Sequence, residues 1–165
     1  MRFLTWIDGA VRRLELALAV AAMLGVVTIL SAQVFFRYVL LDPIFFAEEV
    51  ALLLLIIATF AGLSLLVAEE CLIGIDLVGP KLSPAARARL DLGMKLLTAL
   101  ISGALAVFAV SYVITPWVWF ERFATVPLPR ASLYTLVAIE LCLATFHQVV
   151  LILKGVFDPT SQAAQ

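Results

Sequence analysis

A chain of 165 residues that is 64% hydrophobic and 14% charged cannot hide its apolar surface inside a water-soluble fold of that size. With a mean hydropathy of +1.14 it requires lipid as the solvent for most of its length. Its net charge of −1 comes with no basic stripe of the kind that binds nucleic acid.

Residues 1–14 place Phe3, Leu4, Ile7, Val11 and Leu14 at helical spacing, with Trp6 nearby and Arg2, Arg12 and Arg13 interspersed. A short helix lying on the inner membrane surface fits this pattern; a tail that merely supplies charge for topology is the alternative. The first span, 16–36, has an apolar core of about 20 residues, longer than a signal-peptide core of roughly 7–15, so it reads as retained. Ser31-Ala32-Gln33 would also make a poor cleavage site.

The first outer loop, 37–49, carries Arg37, Asp42, Pro43, Glu48 and Glu49. Asp42 can cap a helix and Pro43 can take its first position, where a missing N–H costs nothing. Glu48 and Glu49 stand where the second span (50–68) begins, and Arg37 where the first ends. The signs suit both helix dipoles and allow an Arg–carboxylate bridge, either as a clasp within the subunit or as a contact with a partner chain.

Beyond the second span lies Glu69-Glu70-Cys71-Leu72-Ile73-Gly74-Ile75-Asp76-Leu77, then Gly79-Pro80. Ser83-Pro84 predicts a cap and first helical residue, opening a helix from Pro84 to Ile114 that contains the third span (92–114) and stops at Pro116. At 1.5 Å per residue that helix is about 46 Å long, so its first turns should stand among headgroups. The second outer loop, Pro116 to Arg130, is rich in aromatics and prolines, and interfacial anchoring explains Trp117 and Trp119. The fourth span, 133–153, leads to a tail over 154–165.

All four runs are continuously apolar, without the alternation of a barrel wall, which predicts helices. Seven Lys and Arg lie outside the spans on one side (Arg2, Arg12, Arg13, Lys81, Arg87, Arg89, Lys154) against three on the other (Arg37, Arg122, Arg130). The excess places both termini in the cytoplasm. The expected fold is therefore all-α: a single integral membrane domain with four transmembrane helices and interfacial helical segments.

Glu140 is the one acid well inside a span. An intramembrane carboxylate is either protonated and hydrogen-bonded between helices or subunits, with Thr28, Ser31 and Thr59 at similar depth, or part of a relay. A relay needs a second titratable group nearby, and none is expected at that depth. His147, beside Gln148, suits an interhelical hydrogen bond better than a ligand role, and Lys95 can snorkel to the headgroups. Small residues recur four apart as Ala21/Gly25, Ala58/Gly62 and Ala99/Gly103, permitting close helix contact.

Bis-histidine haem ligation needs two histidines, and the chain has one. Cys71 and Cys142 form no CxxC pair and read as small apolar side chains. The paired acids Glu48-Glu49 and Glu69-Glu70 fall on opposite membrane faces, no nucleophile–base set emerges, and no Walker sequence is present. No cofactor, metal or catalytic role is expected, so a membrane-bound enzyme is the least favoured class.

Val34-Phe35-Phe36-Arg37-Tyr38-Val39, Pro43, Glu48-Glu49, Ile73-Gly74-Ile75-Asp76-Leu77 and Val126-Pro127-Leu128-Pro129 together resemble the small (Q-type, DctQ-like) membrane subunit of tripartite ATP-independent periplasmic (TRAP) transporters. The likeness runs in order along nearly the whole chain. Phe46 stands where that family commonly has Trp, and Leu72 where it usually has His. The resemblance implies a scaffold subunit of the bacterial inner membrane that braces a large multi-span subunit in a sodium-driven importer. A periplasmic solute-binding protein would deliver an organic acid, a carboxylate or sulfonate. It further implies that Arg37, Glu48, Glu49, Asp76 and Glu140 serve the subunit interface or the fold, and that membrane lipids are the other partner. The competing class is a self-sufficient proton-coupled exporter acting as a homodimer.

Overall fold

The computed structural model describes residues 2–69 and 83–157. Asp76, Cys71 and the rest of residues 70–82, between the second and third spans, lie outside the described residues. Four helices dominate: α1 (Arg2–Phe35), α2 (Ala47–Ala68), α3 (Pro84–Ile114) and α4 (Ala131–Phe157). Each contains a stretch long and apolar enough to cross a membrane.

The helices are neighbours in the order α1–α2–α4–α3, so α2 and α4 form the middle of a slab and α1 and α3 its flanks. Burial follows that order: 39% of the apolar window of α4 is covered by protein, against 6% for α3. The inner stripe of α2 is small: Ala47, Ala51, Ala58, Ala61 and Ser64 are all buried. Lipid tails are as apolar as leucine, so helices here gain most from close backbone approach, which small side chains permit. Gly25 lets α1 reach α2, since a Cβ there would lie 2.9 Å from the tip of Leu54. Across the other hairpin, a Cβ at Gly103 would lie 3.6 Å from the methyl of Thr145.

Hydroxyls within the spans mostly turn back on their own helices. Thr28 donates to the Leu24 carbonyl (2.8 Å), Thr59 to Leu55 (2.7 Å) and Thr145 to Leu141 (2.8 Å). This satisfies them in a medium without water.

Two boundaries differ from the sequence expectation. Residues 2–14 are not a separate surface helix; they continue into the first span as one helix, since no Pro interrupts them and their single Gly9 leaves the ladder intact. Nor does α2 begin at Pro43. The Ile44 N–H is taken by the Gln33 side chain of α1 (2.8 Å), and the chain turns once more before α2 starts at Ala47, without a side-chain cap from Asp42. Before that turn α1 ends in a π-helical turn, Phe36–Leu40, closed by Leu41 in the left-handed region (φ 56°). The N–H groups of Leu41 and Asp42 both reach the Phe36 carbonyl, the latter at 3.1 Å.

The start of α3 matches the sequence reading. Ser83 caps it by accepting from the Ala86 N–H, Pro84 is the first helical residue, and the helix ends at Ile114 before Pro116. Pro116–Phe120 then forms a short 3₁₀ turn, and Arg122 and Pro129 meet in a single antiparallel bridge that folds the loop back toward α4.

Candidate functional site: two polar clasps

Polar side chains collect at the two ends of the slab. At one end Arg37 Nη2 reaches Glu48 Oε1 at 2.9 Å, joining the end of α1 to the first turn of α2. Both side chains are about half exposed or more, 49% and 69%, so water shares this pair.

Its neighbour Glu49 does something different. Its carboxylate accepts from the backbone N–H groups of Ala124 (2.8 Å), Thr125 (2.7 Å) and Val126 (3.0 Å), and from the Thr125 hydroxyl. Three successive amides converging on one ionised group make a strong anchor. Glu49 thus ties the α3–α4 loop to the start of α2, linking the two helical hairpins. That loop is braced from behind. Arg130 lies 5.9 Å from the Phe123 ring centre, and Tyr112 packs edge-on against both Trp117 and Tyr134. Trp119 donates to the Val113 carbonyl at 3.0 Å.

At the opposite end the chain builds a buried cluster. His147 of α4 is fully covered, and each ring nitrogen faces a carboxylate of α1: Nδ1 to Asp8 Oδ1 at 2.6 Å and Nε2 to Glu15 Oε2 at 3.1 Å. The other Glu15 oxygen accepts from the buried Ser64 hydroxyl of α2 at 2.7 Å. A neutral imidazole carries one N–H, so two carboxylate contacts need either a doubly protonated ring or a proton on one acid. In both cases His147 bonds to the two acids at once. α1 and α4 otherwise touch little, so this cluster is their principal tie. One helical step away, Gln148 donates to the Lys95 carbonyl of α3 at 3.2 Å, bringing α3 into the same layer.

Glu140 lies two turns from His147 on the same face of α4. It is 6% exposed, and its Oε2 has no hydrogen-bond partner. Apolar side chains surround it, among them Ile57 and Phe60 of α2 and Val137 of its own helix. One expectation is corrected here. Thr28 and Thr59 do not partner Glu140: their hydroxyls donate to carbonyls of their own helices. Two turns along the same face of α4 stand His147 and the Glu15 it bonds. Sequence reasoning missed the pairing of Asp8 and Glu15 with His147. The missed signal was the spacing of Asp8 and Glu15, seven apart and therefore on one face of α1, aligned with His147 far along the chain.

Of the residues singled out from sequence, the structure brings Arg37 and Glu48 together, gives Glu49 its own loop contact, and keeps Glu140 apart from both. Among the described residues no group of His, Cys, Asp and Glu is arranged to hold a metal. Residues 26–158 match the family model described as tripartite ATP-independent periplasmic transporters, DctQ component. No curated protein matches the chain.

Proposed function

Since the chain belongs to the DctQ component family of tripartite ATP-independent periplasmic transporters, and so is a small multi-pass transporter subunit of the inner membrane, we propose that it is a non-catalytic brace for the large membrane subunit. In this reading the large subunit carries an organic acid with sodium, a periplasmic binding protein delivers the substrate, and both termini of the small subunit face the cytoplasm. The observation that supports bracing is where the polar groups are used. Glu49 fastens one hairpin to the other, and the Asp8–His147–Glu15–Ser64 cluster fastens three helices together. Fully bonded polar networks hold a single packing arrangement, which suits a fixed support better than a moving carrier. Asp76, outside the described residues, is assigned to the same structural or interface role by the family resemblance.

Reconstitution tests this directly. Liposomes holding the small subunit together with the large one, and supplied with the binding protein, are expected to accumulate the organic acid when sodium is higher outside. Liposomes holding the small subunit alone should move neither the acid nor protons. A second reading rests on the buried acids and His147, which could carry protons in a self-sufficient exporter. Proton-coupled flux from the small subunit alone would establish that reading and overturn the brace.

A further inference from the structure

One groove lies apart from both clasps. It runs between α1 and α2 near the His147 end, has a volume of about 280 Å³, and is lined by Gly9, Arg12, Arg13, Leu16, Leu65 and Glu69. Arg12 Nη2 meets Glu69 Oε1 at 3.2 Å, with both side chains partly exposed. Arg13 is exposed and forms no ion pair among the described residues, so the mouth of the groove keeps a net positive charge. Deeper in, the lining becomes Leu16 and Leu65, at the level where Glu15 is buried against His147 and Ser64.

Depth identifies the surroundings. Glu15 and Arg37 are separated by about 33 Å of helix at 1.5 Å per residue, close to the hydrocarbon thickness of a bilayer. Arg12 and Arg13 stand one turn beyond Glu15, at headgroup level, while Leu16 and Leu65 begin the acyl region. A free anion would use the guanidiniums but would gain nothing from an apolar floor. We propose that this groove binds an anionic phospholipid, its phosphate on Arg12 and Arg13 and an acyl chain along Leu16 and Leu65. Bidentate guanidinium–phosphate contact supplies the selectivity for charge. Glu69 is the internal competitor that holds Arg12 when no lipid is present.

The test is native mass spectrometry of the full chain, released from micelles containing equal amounts of phosphatidylglycerol and phosphatidylcholine. Phosphatidylglycerol should be retained in preference, and each of Arg12→Gln and Arg13→Gln should weaken its retention about fivefold. Glu69→Gln should strengthen it by freeing Arg12. Gly9→Leu keeps both arginines and favours the helix, and its added side chain starts in open space, with nothing within 4 Å of the Cβ. It should nonetheless block the groove and abolish the preference. Equal retention of the two lipids, or a preference that survives Gly9→Leu, overturns the assignment. Displacement of phosphatidylglycerol by an equal concentration of inorganic phosphate overturns it as well, because the ligand would then be a free anion.

Discussion

Replacing His147 with alanine should cost the subunit about 3 kcal/mol of stability, the largest loss expected from any single substitution outside the backbone. The substitution takes the imidazole away from both Asp8 and Glu15, which are 5% and 1% exposed, although Glu15 keeps its bond from Ser64. Two acids would be left covered by protein without the imidazole that bonds to both, and losing a polar contact of a buried acid is far more costly than losing a bond at the surface. The figure is set at the low end for a broken buried pair because helices separated within a membrane still find other partners. Unfolding of the purified chain in mixed micelles, followed by tryptophan fluorescence, reads the loss. Glu15→Gln should cost less, since its amide keeps an oxygen for Ser64 and a polar contact to His147. In an Asp8→Asn/Glu15→Gln background the further cost of His147→Ala should shrink, because neutral amides no longer need its protons. An undiminished cost would mean that His147 acts by filling space.

The second large effect should separate two adjacent glutamates. Glu49→Ala removes the acceptor for the three amides of 124–126 and for the Thr125 hydroxyl, so the α3–α4 loop should come away from α2. Protease cleavage within 121–130 should rise, and uptake by the assembled transporter should fall, because the two hairpins are no longer joined at that end. Glu48→Ala loses an exposed pair with Arg37, and its effect on stability should be less than about 1 kcal/mol. Arg37→Ala should resemble Glu48→Ala. If all three lower uptake equally while the loop stays protected, these residues act through a partner chain rather than through the fold.

The pattern of residues carried the helices but not what joins them. Span number and the whole of α3 were legible because the signals are local: long apolar runs, a Ser-Pro start, a proline stop. The start of α2 was misplaced because the decisive acceptor, Gln33, lies on the preceding helix. The same holds more strongly for the clasps. Glu49 is bonded 75 to 77 residues downstream, and His147 to residues 139 and 132 positions away. No periodicity within a helix carries information across such separations. What could be read is that Asp8 and Glu15 share one helix face within an otherwise apolar sequence, a stripe that lipid would not tolerate uncovered. Glu140 was recognised as unusual from its depth alone, yet its surroundings of Ile57, Phe60 and Val137 depend on how α4 turns toward α2.

The brace rests on this subunit holding one shape while its companion works, and internal cross-links ask for that directly. With Cys71 and Cys142 replaced by serine, cysteines at Gly25 and Leu54 would bridge α1 to α2, and cysteines at Gly103 and Thr145 would bridge α3 to α4. Each pair is oxidised in the reconstituted transporter and uptake is measured before and after reduction. A fixed support predicts the same uptake rate with the bridges closed or open. Loss of uptake on oxidation, restored by reductant, would show that these helices must move during transport and would contradict the account.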